Sequence, residues 1–118
     1  MEKQPCILLV DDDPSWRAML GLSLRQAGFQ VDMAGGGDEA LGLLRRRRYD
    51  FLLTDGRMLP MDGLELSRQA QRVQPGLRVV LVSAVSSAQD AAGYPIEKVF
   101  PKPLQVDALL GWLGAPTS

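Results

Sequence analysis

The stretch Ile7-Leu8-Leu9-Val10-Asp11-Asp12-Asp13-Pro14 decides the fold. Four consecutive branched apolar residues have the character of a buried strand, and the run ends abruptly in three carboxylates. Adjacent carboxylates repel one another, and a folded chain keeps such a cluster where a hard cation with oxygen ligands offsets the charge. In an open α/β sheet the C-terminal end of a buried strand is where ligands bind. The question is which other strands deliver partners to that edge.

Further apolar runs follow at Val31–Ala34, Phe51–Thr54, Val79–Val82 and Ile96–Phe100, and the first extends back to Cys6. Helical patterns lie between them at Pro14–Ala27, Gly37–Arg47, Leu64–Val73 and Leu104–Leu113, with a weak stretch at Ser86–Ala92 that has almost no apolar face. Strand–helix alternation of this kind predicts a doubly wound parallel sheet of five strands with about five helices, the fourth short or irregular. Right-handed crossovers leave few topologies. Asp13-Pro14 predicts an N-cap followed by proline at the first helical position, Gly28 a helix stop, and Asp62 a second N-cap.

Composition narrows the function. At 118 residues the chain is one domain, 1–118, with a core over 5–113 and a tail or linker start at 114–118. Apolar content of 46%, charged content of 23% and a net charge of −1 fit a globular protein with no whole-domain pull toward nucleic acid or anionic membrane. No apolar run approaches a membrane span, and the opening Met-Glu-Lys-Gln-Pro lacks a signal-peptide pattern. The single cysteine, Cys6, excludes an internal disulfide framework and fits a reducing, cytoplasmic setting. With no histidine, His-based catalysis and His metal sites are excluded.

Four apolar runs end in residues suited to phosphoryl chemistry: Asp11-Asp12, Asp55, Ser83 and, near the last run, Lys102. In strand order 2-1-3-4-5 the first and third strands are neighbours at the topological switch point, so Asp11, Asp12 and Asp55 can share one divalent cation. Magnesium suits a few carboxylates together with waters and a phosphate oxygen. A carboxylate can act as a nucleophile toward a phosphoryl group, and a lysine can offset charge on that group's oxygens. Ser83 offers a hydroxyl donor, and Lys102 is fixed by Pro101 and Pro103 on either side.

At these residues the chain resembles the receiver domain of bacterial two-component response regulators. The motifs are Ile7-Leu8-Leu9-Val10-Asp11-Asp12, Gly37-Asp38-Glu39-Ala40-Leu41, Asp55 followed by Met61-Asp62-Gly63, Val82-Ser83-Ala84 and Lys102-Pro103. The resemblance implies a flavodoxin-like fold similar to the chemotaxis regulator. It implies Asp55 as phosphoacceptor, and Mg²⁺ held by Asp11, Asp12, Asp55 and the backbone carbonyl of Arg57. Ser83 takes the switch-hydroxyl role and Lys102 pairs with the phosphoryl group. The implied donor is a sensor histidine kinase or a histidine phosphotransfer protein. The recipient of the signal is an effector domain or downstream protein that the sequence does not name. Direct nucleic-acid or membrane binding is not expected, a homodimer is compatible, and no enzymatic turnover is expected beyond self-phosphorylation and dephosphorylation. Both a stand-alone relay domain and a piece of a longer protein fit.

The chain departs from that family's pattern in four places. Leu59 stands where a proline is usual, and Pro60 follows it. Val99 stands where the switch aromatic is usual, and strand alternation points the neighbouring Phe100 to the other face. The segment between Ser83 and Lys102 is short and poor in helix signals. Arg57 follows Asp55 by two residues, and in the metal-free chain it is expected to reach the acid cluster and compete with Mg²⁺.

Simpler readings accompany several residues. Asp13 reads as a helix cap rather than a ligand, and Arg45–Arg48 as ordinary cations at a helix C-terminus. Cys6 reads as a strand residue and Trp112 as packing or an interface residue, while Trp16 is either core or a contact for the phosphodonor. Two other functions compete. One is a small phosphatase resembling the haloacid dehalogenase superfamily, using Asp11 and Asp13; it leaves Asp55 idle and finds only Asp107 beyond Lys102. The other is a degenerate receiver that docks partners without phosphorylation, although such domains usually lose residues that are all present here.

Overall fold

The computed structural model describes residues 4–58, 60–83 and 91–114. Chain order is β1 (Cys6–Val10), α1 (Pro14–Gln26), β2 (Gln30–Ala34), α2 (Gly37–Arg46), β3 (Phe51–Asp55), α3 (Gly63–Val73), β4 (Arg78–Ser83), β5 (Lys98–Pro101) and α4 (Val106–Leu113). The five strands form one parallel sheet in the order β2-β1-β3-β4-β5. Four helices lie among the described residues, against about five expected. The weak stretch Ser86–Ala92 falls outside them up to residue 90, and Ala91 and Ala92 form a turn. Leu59 also lies outside the described residues, as does the tail beyond Gly114.

Every residue of β1 and β3 is buried, as expected of central strands covered on both faces. Alternate side chains feed two apolar layers. Leu8, Val10, Leu52 and Val79 pack with Leu41, Leu44, Leu66 and Ala70 of α2 and α3. Ile7, Leu9, Leu53, Val80 and Phe100 pack with Leu20, Leu24 and Leu109 of α1 and α4.

The helix boundaries follow local chemistry. Asp13 caps α1, its Oδ1 accepting from Ser15 and Trp16 N–H at 3.0 and 3.3 Å, with Pro14 next. Gly28 follows α1 at φ 103°, a left-handed conformation that glycine adopts without penalty. Asp62 caps α3 through Glu65 N–H at 2.9 Å. Two expected starts move inward. β5 begins at Lys98 rather than Ile96, because Tyr94–Ile96 is tied into a turn by the bonds from Tyr94 N–H to Ala91 and from Ile96 N–H to Tyr94. The last helix begins at Val106 rather than Leu104, with Gln105 in extended backbone as its N-cap.

Candidate functional site

Parallel pairing places the ends of β1, β3, β4 and β5 on one edge. Val10 pairs with Thr54, Asp55 with Val82, and Ser83 with Pro101. The residues immediately beyond these pairs are Asp11, Asp12 and Lys102. Carboxylate oxygens of Asp11, Asp12 and Asp55 lie within 4.8 Å of one another. Asp11 and Asp55 are buried and Asp12 is exposed, so the cluster opens to solvent on one side. Asp13 is held by its capping bonds and stands outside the cluster, which removes the pairing of Asp11 with Asp13 that a dehalogenase-like phosphatase needs.

Asp55 is held from two directions. Its Oδ1 accepts the Arg57 backbone N–H at 3.2 Å and stands 3.0 Å from Lys102 Nζ. Lys102 is itself placed by its N–H, which donates to the Ser83 carbonyl at 3.0 Å. The Arg57 side chain is exposed and forms no ion pair with the acids among the described residues; the cation that reaches Asp55 is Lys102. Burial pushes the Asp11 carboxyl above the usual carboxylate range, and the Asp55 and Asp12 charges add to this. The Asp13 N–H, which donates to Asp11 Oδ1 at 2.9 Å, and the Lys102 charge act the other way.

Ser83 is 1% exposed, and its hydroxyl has no hydrogen-bond partner among the described residues. A buried hydroxyl left unpaired costs about 1–3 kcal/mol, so such a group marks a place where an oxygen acceptor belongs. It lies against Gly56, where a side chain would collide with Ser83 Oγ and stand 2.9 Å from Ser83 Cβ. Gly63, the first residue of α3, packs as closely on the Asp55 carbonyl, and its N–H donates to Gly56 at 3.1 Å. Gly56 did not stand out in the sequence and Gly63 did so only as part of the Met61-Asp62-Gly63 motif, because only the packed backbone reveals the close approach.

The remaining single residues fall into place. Phe100 is buried on the α1–α4 face and meets Trp112 edge-on at 6.2 Å, while Val99 is half-buried on the opposite face. Trp16 is half-buried against the same layer as Trp112. Arg45 and Arg46 close the last turn of α2, and Arg47 pairs with Asp32 at 2.7 Å. Arg45–Arg48 and Arg78 line an open groove of about 960 Å³ at the opposite end of the sheet, remote from the acid cluster. No described helix is long and apolar enough to cross a membrane.

Comparison with known proteins matches this geometry to one family. The model for the response regulator receiver domain matches residues 7–113. The transcriptional regulatory protein GlrR of Escherichia coli (strain K12) is 42% identical over 106 residues, covering 87% of this chain and 24% of that protein. A response regulator receiver protein of Anaeromyxobacter sp. is 39% identical over 106 residues, covering 87% of this chain and 44% of the relative. The chain thus spans under half the length of these relatives. Among solved structures, a response regulator receiver protein from Pseudomonas putida superposes with TM-score 0.87 at 28% identity, covering 98% of this chain and all of that one. The response regulator TrrA of Thermotoga maritima, solved with Mg²⁺ and BeF, superposes with TM-score 0.86 at 25% identity, covering 93% of this chain and 96% of that one.

Proposed function

The chain belongs to the response regulator receiver family, and from that premise we propose that Asp55 is its phosphoacceptor, with Asp11 and Asp12 as Mg²⁺ ligands. The observation that carries the proposal is the convergence of Asp11, Asp12, Asp55 and Lys102 at one sheet edge beside the Ser83 hydroxyl, which has no partner among the described residues.

The donor set fits the metal. It consists of hard oxygen ligands, two of them buried, with no nitrogen or sulfur donor in the cluster. Asp11, Asp12, Asp55 and the Arg57 carbonyl would hold Mg²⁺, which when bound supplies positive charge against the oxygens of the transferring group.

The chain's own residues do the rest. Lys102 and the Arg57 N–H hold Asp55 Oδ1, while no hydrogen bond among the described residues reaches Oδ2. Oδ2 attacks the phosphorus of a phosphohistidine. The new O–P bond forms as the P–N bond breaks, and the electron pair leaves with the imidazole of the donor. Lys102 offsets charge on the phosphoryl oxygens, and Ser83 donates the hydroxyl hydrogen that has no acceptor among the described residues. Moving those two groups onto the phosphoryl oxygens biases a two-state equilibrium at the ends of β4 and β5. The partners are a histidine kinase or phosphotransfer protein upstream and an effector downstream.

Acetyl phosphate with Mg²⁺ tests this by intact mass. The expected result is a gain of one phosphoryl group that is lost in Asp55→Asn and on chelation. Persistence of the gain in Asp55→Asn contradicts the assignment.

A further inference from the structure

Arg17 lies beside the acid cluster and takes no part in the chemistry above. It is half-buried at the fourth position of α1, near the helix N-terminus, where the positive end of the helix dipole disfavours a cation. Its guanidinium has no carboxylate within 4.0 Å among the described residues. Instead Arg17 Nη1 donates to the backbone carbonyl of Asp11 at 2.7 Å.

The same guanidinium abuts the loop between β2 and α2. A Cβ on Gly35 would stand 3.1 Å from Arg17 Nη1 and 3.6 Å from Glu39 Oε1. Glu39 fixes that loop in turn, its Oε1 accepting the Gly35 N–H at 2.7 Å. The Asp11 N–H donates to the Ala34 carbonyl at 3.2 Å. Arg17 therefore braces the turn that carries Asp11 and Asp12 against the neighbouring loop.

We infer that Arg17 is a positioning residue for the metal-binding acids: it fixes the Asp11 backbone through the carbonyl and leaves the carboxylate oxygens free for the cation. A salt bridge to Asp11 or Asp12 would hold the loop equally well but would occupy those oxygens. The inference rests on the magnesium reading above.

Two effects of removing Arg17 have opposite signs, and this makes the inference decidable. Deleting a positive charge near the cluster favours cation binding, because like-charge repulsion falls. Deleting the brace weakens binding, because a ligand pair that must be ordered at each binding event binds less tightly. Groups that orient ligands in this way are worth about 10–100-fold in metal affinity.

The test is a calorimetric Mg²⁺ titration of the 118-residue chain, with thermal unfolding of the metal-free chain measured alongside. Arg17→Met keeps the long stem and removes the donors and the charge. Gly35→Ala keeps Arg17 and its charge but crowds the guanidinium. The expected result is a magnesium affinity lowered about tenfold or more in Arg17→Met, and lowered in the same direction in Gly35→Ala. Phosphorylation by acetyl phosphate should slow at limiting magnesium and recover at saturation. Affinity equal to or tighter than wild type in Arg17→Met overturns the inference, even if its melting temperature falls. Absence of magnesium binding in the unsubstituted chain overturns the magnesium reading itself, and the inference with it.

Discussion

Asp11 shows what the site costs the fold. Its carboxyl is buried, and that burial raises its pKa above the usual carboxylate range. The folded chain therefore holds this proton to higher pH than the unfolded chain does, so ionising Asp11 opposes folding. The penalty is present above the raised pKa and is relieved as pH falls through it. Metal-free Asp11→Asn should accordingly melt a few degrees above wild type at pH 7, with the difference shrinking in mildly acidic buffer, while its response to Mg²⁺ is lost. Gly63→Ala should do the reverse. Its methyl group would meet the Asp55 carbonyl, and relieving that overlap should cost about 1–3 kcal/mol of unfolding free energy and displace the end of β3. At this scale Asp11, Asp12, Asp55, Ser83 and Lys102 were legible because each ends an apolar run. Arg17 was not, since nothing in Trp16-Arg17-Ala18 separates a brace from a solvated helix charge. That the buried Ser83 hydroxyl has no partner among the described residues was equally hidden, because pairing is a property of the packed structure.

Elements were legible where side-chain chemistry and backbone agree. Asp13-Pro14 and Asp62 start helices through bonds that their side chains make to nearby N–H groups, a signal carried within four residues. Asp62→Ala should cost about 1 kcal/mol in urea unfolding, the ordinary value of a lost N-cap. The start of β5 was not legible: Ile96 is apolar and β-branched but is held in the turn that closes on Ala91. Strand propensity lost there to a hydrogen-bonded turn that sequence pattern does not display. The facing of Phe100 was readable, because alternation turns it from the face of Val99; its contact with Trp112 was not. Leu109, fully buried in the layer between α4 and the sheet, is the anchor of the last helix. Leu109→Ala should lower stability by about 2–5 kcal/mol while Mg²⁺ binding, which uses no residue of this helix, survives in the folded fraction.

The whole molecule separates its tasks by layer. Two apolar layers hold the sheet, and the polar residues buried at its edge include Asp11, Asp55 and Ser83. The topology was legible in full, because five short apolar runs and short crossovers admit few arrangements, and the observed order 2-1-3-4-5 brings β1 and β3 together. That adjacency is what turns three separate acids into one cluster. The central claim is that Asp11 and Asp12 serve Asp55 rather than reacting themselves, and it is tested most directly by locating the phosphoryl group. Treating the acetyl phosphate-modified chain with borohydride reduces an aspartyl phosphate to homoserine, which peptide mass mapping then places. The account predicts homoserine at position 55 alone, dependent on Mg²⁺. Homoserine at position 11, 12 or 13, or at no position under conditions that phosphorylate the chain, would contradict it.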